Sequence, residues 1–91
     1  MKLHYVITVD GRVQGVGFRY FVRSRAKELQ INGFVRNGWD GKVVIEAEGE
    51  KKDLDTLVDY LRIGPSLARV IRVDVSESLY NNSFEDFEIK Y

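Results

Sequence analysis

Between Gly11 and Arg19 the chain reads Gly-Arg-Val-Gln-Gly-Val-Gly-Phe-Arg, a glycine-punctuated loop set between a strand-like run and a helix-like one. Glycines 11, 15 and 17 let the backbone take positive φ and turn successive N–H groups toward one point. The helix start that follows adds unpaired amides and the positive end of a dipole. Arg19 closes the loop with a planar fork of donors that matches two oxygens of an oxyanion at once. The chemistry these residues support is the grip of an anion, and a phosphoryl group is the anion that fits. The competing reading is a plain glycine turn, which spacing alone leaves open. Two other nucleotide motifs are excluded: no Gly-Lys-Ser/Thr follows, and the dinucleotide fingerprint requires a glycine where Tyr20 stands.

Asn37 is the second candidate. Asn37-Gly38 between apolar runs is itself a hairpin signal, but Asp40-Gly41 competes for the same turn. With the turn at Asp40-Gly41, Asn37 stays on the ladder opposite Val44, and its carboxamide is free to bond a ligand or water. Asp10, beside the loop, reads either as a general base or as a carboxylate capping the turn. His4 stands alone on a strand and reads as structural or exposed. Arg23, Arg25 and Lys27 read as surface charges, and Trp39 and Phe34 as hairpin or core packing against a stacking role. No His, Cys or acidic group has metal-ligand spacing, so neither a metal nor another cofactor is expected.

These residues need elements to hold them. Leu3, Tyr5, Ile7 and Val9 alternate with polar neighbours, giving a half-buried strand that the glycine loop interrupts. Phe18, Val22, Ala26 and Leu29 form one helical stripe, which Asn32-Gly33 is expected to close. Phe34 to Trp39 and Lys42 to Glu48 read as paired strands. Leu54, Leu57, Val58 and Leu61 mark a second amphipathic helix, stopped at Gly64-Pro65. Ile71, Val73 and Val75 alternate as a fourth strand, and Phe87, Ile89 and Tyr91 suggest a short final one. The order β-α-β-β-α-β with an appended strand predicts a ferredoxin-like α/β (α+β) sandwich. Its sheet is mainly antiparallel, with two helices on one face. The glycine loop and the β2–β3 hairpin then fall where they can meet at one end of the sheet.

Composition bounds the rest. The 91 residues predict one domain with one modest core, residues 1–91. Fourteen basic side chains balance fourteen acidic ones, so no global field recruits nucleic acid or anionic membrane, and any anion binding must be local. The absence of cysteine excludes disulfides, thiolate ligands and a thiol nucleophile. No apolar run approaches the roughly 20 residues that span a bilayer. Met1 to Asp10 alternates instead of forming a signal-peptide core, so a cytoplasmic location is the expectation. An open edge strand leaves the chain a monomer or a weak dimer.

Gly11 through Arg19 resembles the phosphate-loop signature of the acylphosphatase family. Gly33-Phe34-Val35-Arg36-Asn37, with Gly41, Val43 and Gly49, is similar to that family's second signature, and Gly64-Pro65 with Ala68–Val70 is similar to its segment after the second helix. The likeness spans nearly the whole chain. It implies hydrolysis of the carboxyl-phosphate bond of small-molecule acyl phosphates to a carboxylate and inorganic phosphate, without a metal. It further implies that Arg19 binds the phosphoryl group together with the loop Gln14, Gly15, Val16, Gly17 and Phe18, and that Asn37 positions the attacking water. Two alternatives stand beside it. The same element order serves RNA-recognition domains, and Asn32-Gly33-Phe34-Val35 echoes one of their motifs, although the neutral charge balance and sparse aromatics oppose that reading. A regulatory or carrier relative that binds carbamoyl phosphate without turnover is the other.

Overall fold

The computed structural model describes residues Met1–Tyr91. Seven elements follow in order: β1 (Lys2–Arg12), α1 (Phe18–Glu28), β2 (Asn32–Asn37), β3 (Val43–Glu50), α2 (Lys51–Ile63), β4 (Arg69–Leu79) and β5 (Phe87–Lys90). The sheet order is β4-β1-β3-β2-β5, with β2 and β5 parallel and every other pair antiparallel. Both helices lie on one face, making the ferredoxin-like α+β sandwich expected from the sequence. No helix is long and apolar enough to cross a membrane.

The period-2 and period-3.6 patterns account for the core. Leu3, Tyr5, Ile7 and Val9 of β1 and Val43, Ile45 and Ala47 of β3 are buried against Phe18, Val22 and Ala26 of α1 and Leu54, Leu57, Val58 and Leu61 of α2. Side chains directly opposite across an antiparallel pair share a face. The pairs Tyr5–Ala47, Ile7–Ile45 and Val9–Val43 therefore stack one apolar row under the helices.

Four local expectations are corrected. β1 does not stop before the glycines; it continues through Gly11 to Arg12, with a register shift against β4 between Asp10 and Gly11. Gly11 has φ +130°, and a Cβ there would overlap the Arg69 carbonyl oxygen, so β4 can close on the strand only because this residue lacks a side chain. The first helix ends at Glu28 with Leu29 as its C-cap, not at Asn32-Gly33. Gln30 takes the left-handed conformation (φ +57°), with Gln30 N–H bonding the Lys27 carbonyl and Ile31 N–H the Ala26 carbonyl. That is a Schellman closure with glutamine in the place glycine usually holds, and it releases Asn32 and Gly33 into β2. The hairpin turn is wider than an Asp40-Gly41 pair: β2 ends at Asn37 and β3 begins at Val43, so Asn37 faces Val43 and not Val44. Finally, β4 is an end strand, and although Val73 packs against the core, Ile71 is exposed.

Candidate active site

Register brings the two candidate side chains to one place. Val9 of β1 faces Val43 of β3, and Val43 faces Asn37 of β2, so these three residues form one row across the sheet. β1 leaves the sheet a few residues beyond that row and enters the loop to α1. Val13, Gly15, Gly17, Phe18, Arg19, Tyr20 and Asn37 together line a bay of about 220 Å³.

The loop is built to leave amides free. Gly15 (φ +73°) and Gly17 (φ +79°) both take the left-handed conformation, and a Cβ on either would meet open space. Neither glycine is required to fit protein atoms; each is required for the turn of the main chain. Gly17 is the N-cap residue of α1 with no side-chain cap, and no acidic residue occupies the first helical turn. Its carbonyl accepts the first helical bond, from Phe21 N–H at 3.1 Å. No protein acceptor takes the amides from Gly15 to Tyr20. Unpaired amides at a helix start with nothing negative nearby are what an anion would need there.

Arg19 lies half-buried beside these amides and enters no ion pair. Its guanidinium carbon sits 4.7 Å from the ring centroid of Tyr91, just beyond β5, and the Tyr91 hydroxyl is 3.4 Å from that of Tyr20. The Tyr20 contact pushes the Tyr91 phenol above its usual range. This cation–π contact uses none of the guanidinium's N–H donors. The sequence gives no local sign of this support, because Tyr91 reaches Arg19 only through the parallel pairing of β5 with β2.

Asn37 contributes the most telling atom. Its Oδ1 is buried and has no hydrogen-bond partner in the protein. Desolvating an amide oxygen without a partner costs about 1–3 kcal/mol, so orphans of this kind mark places where a ligand or water completes the bonding.

Gln14 and Val16, expected among the binding residues, are not in the lining of the bay, and the Gln14 side chain is engaged elsewhere. Its Nε2 donates to the carbonyls of Gly38 (2.7 Å) and Lys42 (2.9 Å), the two ends of the hairpin tip. The tip is closed by Gly38 N–H to the Lys42 carbonyl at 2.7 Å and by Lys42 N–H to Asp40 Oδ1 at 3.2 Å. The Gln14 side chain thus ties the glycine loop to the strand end that carries Asn37.

Other candidates resolve as structural. Asp10 accepts from the Gly11 amide at 2.8 Å, so it caps the turn. Arg25 bonds Glu28 and Lys27 bonds Asp86 on the surface. His4 is not without partners. Its Nδ1 lies 3.0 Å from Glu48 and its Nε2 3.1 Å from Glu46, under the segment where Asn81 and Ser83 amides also bond Glu48. These contacts lock the β4–β5 connection onto the open face of the sheet. Phe34 on that face is covered by the Lys90 ammonium, 4.3 Å from its ring, which opposes its use as a base-stacking platform. No cluster of His, Cys, Asp and Glu able to hold a metal ion occurs.

Fold and bay together are those of an enzyme carried on a ferredoxin-like sandwich. The acylphosphatase family profile matches residues 5–89. An acylphosphatase of Salinibacter ruber is 48% identical over 90% of this chain and 86% of its own. The crystal structure of Bacillus subtilis acylphosphatase superposes with a TM-score of 0.95 at 43% identity, covering 98% of this chain and 99% of that one. A structure of full-length HypF in a phosphate- and nucleotide-bound form matches all of this chain with 12% of its own, at 33% identity and a TM-score of 0.91. The chain belongs to the acylphosphatase family and is an enzyme of that family.

Proposed function

We propose that this enzyme hydrolyses small-molecule acyl phosphates, with Arg19 and the amides from Gly15 to Arg19 holding the phosphoryl group and Asn37 aiming the attacking water. One observation carries the division of roles. Asn37, whose buried carboxamide oxygen has no partner in the protein, lines the same bay as residues of the unpaired-amide loop and Arg19, whose guanidinium enters no ion pair. Donors gather at the anion, and a lone acceptor is left for the O–H of water.

An acyl phosphate is a mixed anhydride whose leaving group is a stable carboxylate. Water attacks phosphorus in line with the bond to the carboxyl oxygen, and that oxygen departs with the electron pair. The proton released by water goes to a non-bridging phosphoryl oxygen, giving inorganic phosphate. The transition state of such transfers is loose, so positioning and charge stabilisation dominate and a strong protein base is dispensable. The bay supplies these from amides and one arginine, and its lining offers no carboxylate or imidazole that would recruit a divalent cation. On this reading the reaction runs without metal.

Benzoyl phosphate hydrolysis in the presence of a chelator tests the reading. Arg19→Ala is expected to lose on the order of a hundred- to thousand-fold in kcat and to bind inorganic phosphate more weakly. Asn37→Ala is expected to lose kcat while keeping nearly native phosphate inhibition. Equal loss of both quantities in Asn37→Ala, or chelator inhibition reversed by added metal, would refute the assignment. A relative that binds without turnover is the alternative; tight phosphate binding with no turnover would replace hydrolysis by it.

A further inference from the structure

The chain is neutral as a whole, but its charge is unevenly placed. Three connections meet at the end of the sheet that holds the bay: β1 to α1, β2 to β3, and α2 to β4. With the residues on which they hang (12–19, 37–43 and 62–69) they carry Arg12, Arg19, Lys42, Arg62 and Arg69 against one acid, Asp40. That acid is engaged by the Lys42 amide. The connections at the opposite end (28–32, 50–51 and 79–87) carry Glu28, Glu50, Glu85 and Asp86 against Lys51. The bay therefore opens at the positive end of the molecule.

Two of these charges have no account in the fold. Arg62 stands in the last turn of α2, where a cation complements the helix dipole. Arg12 and Arg69, by contrast, are exposed and face each other across the β1–β4 ladder. Like charges directly opposite start about 5 Å apart at Cβ and destabilise an antiparallel pair. Neither arginine enters an ion pair. The carboxylates on the neighbouring rungs are committed elsewhere, Asp10 to the Gly11 amide and Asp74 to Arg72. β4 is pressed onto β1 at this point, since a Cβ on Gly11 would overlap the Arg69 carbonyl oxygen. The two basic stems are thus held together with nothing to neutralise them.

Their place bears on the reaction proposed above, on which this inference rests. In-line attack puts the acyl group on the side of phosphorus away from the water. On that reading Asn37 holds the water at the end of β2, and the strands that lead away from β2 beyond β3 are β1 and β4. Val13, the residue after Arg12, lines the bay itself. We propose that Arg12 and Arg69 form a second anion subsite beside the bay, which favours acyl phosphates carrying a further negative group on the acyl part.

Hydrolysis of benzoyl phosphate and of 4-carboxybenzoyl phosphate at low ionic strength tests it, because a rigid distal carboxylate is the difference between them. The wild type is expected to favour the carboxylated substrate about tenfold in kcat/KM, chiefly through KM. The preference should vanish in about 1 M salt, where the screening length is about 3 Å. The double variant Arg12→Gln, Arg69→Gln should lose it while keeping kcat for benzoyl phosphate, and Arg12→Lys, Arg69→Lys should retain it. The glutamine variant should melt no lower than wild type, since a repulsion is removed. Equal kcat/KM for the two substrates in the wild type, a preference that survives in the glutamine variant, or a marked loss of stability in that variant would each overturn the proposal. If neither substrate turns over, the hydrolysis reading fails by itself. Calorimetric titration with phenacylphosphonate, in which CH2 replaces the scissile oxygen, and with its 4-carboxy derivative then decides the subsite: tighter binding of the derivative upholds it, and equal affinities overturn it.

Discussion

Asn37 faces Val43 on the last rung between β2 and β3, with the asparagine's carboxamide oxygen buried and unpaired. Val43 is itself fully buried and faces Val9 on the next strand. The oxygen is therefore fixed by the sheet, at a place where the protein offers it no partner.

An orphaned acceptor of this kind is a cost to folding. Asn37→Ala removes it, so the variant is expected to melt at the wild-type temperature or a few degrees higher, even as turnover falls. Differential scanning calorimetry beside the kinetic assay checks this. A substantial loss of stability would show that the carboxamide serves the fold.

Gln14 joins the loop to the hairpin through two carbonyls. Gln14→Ala frees the tip, and a misplacement of about 1 Å at a reacting centre is able to cost on the order of a hundredfold. Gln14→Glu should be worse, because a carboxylate would then face two carbonyl oxygens. Trp39, the sole tryptophan, sits between Gly38 and Lys42 and is exposed, which makes its fluorescence anisotropy a direct reading of the tip. Both variants should lower kcat and the anisotropy together. An unchanged anisotropy with full activity would remove the tether from the account.

Glu48 is buried, and its carboxyl is held below the usual glutamate range. Burial opposes that shift, but bonds from His4 and from the amides of Asn81 and Ser83 outweigh it. A carboxyl whose folded-state pKa is depressed contributes stability above its unfolded value, and that stability is lost as pH falls through the folded one. The wild type should therefore lose stability on acidification below about pH 4.5, the ordinary glutamate value. Glu48→Gln should be less stable at neutral pH by about 2 kcal/mol and show a flatter acid limb, the two curves converging at low pH. Urea unfolding from neutral pH down to about pH 3 checks it; parallel curves would assign the acid sensitivity elsewhere.

Gln30 pays for its left-handed conformation at the end of α1. Gln30→Gly keeps both closing bonds and relieves that strain, so a gain of up to about 1 kcal/mol is expected. A loss in thermal denaturation would mean that the side chain has a stabilising role of its own.

Much of this was readable beforehand because the patterns are local. The apolar rows of β1, β3 and the two helices follow from periodicity, and Arg19 and Asn37 stand out by residue type and place. The misreadings arise where tertiary contact overrides local preference. Asn32-Gly33 is a good helix stop on its own, yet the Schellman bonds at Gln30 end the helix earlier and β2 needs both residues. The bonding of His4, the stacking of Tyr91 on Arg19 and the tether of Gln14 join residues far apart in the chain, through registers that no short window contains.

Most donors of the proposed phosphoryl site belong to the main chain. The side chain of Val16 packs against the core and offers no donor, and Gly15 and Gly17 matter for the path of the backbone more than for fit. On the proposed assignment the mutational target for catalysis is correspondingly small, concentrating in two glycines, the Gln14 tether and the side chains of Arg19 and Asn37. Lineages that lose the activity should show substitutions there first, while Val13 and Phe18 stay apolar because the core needs them.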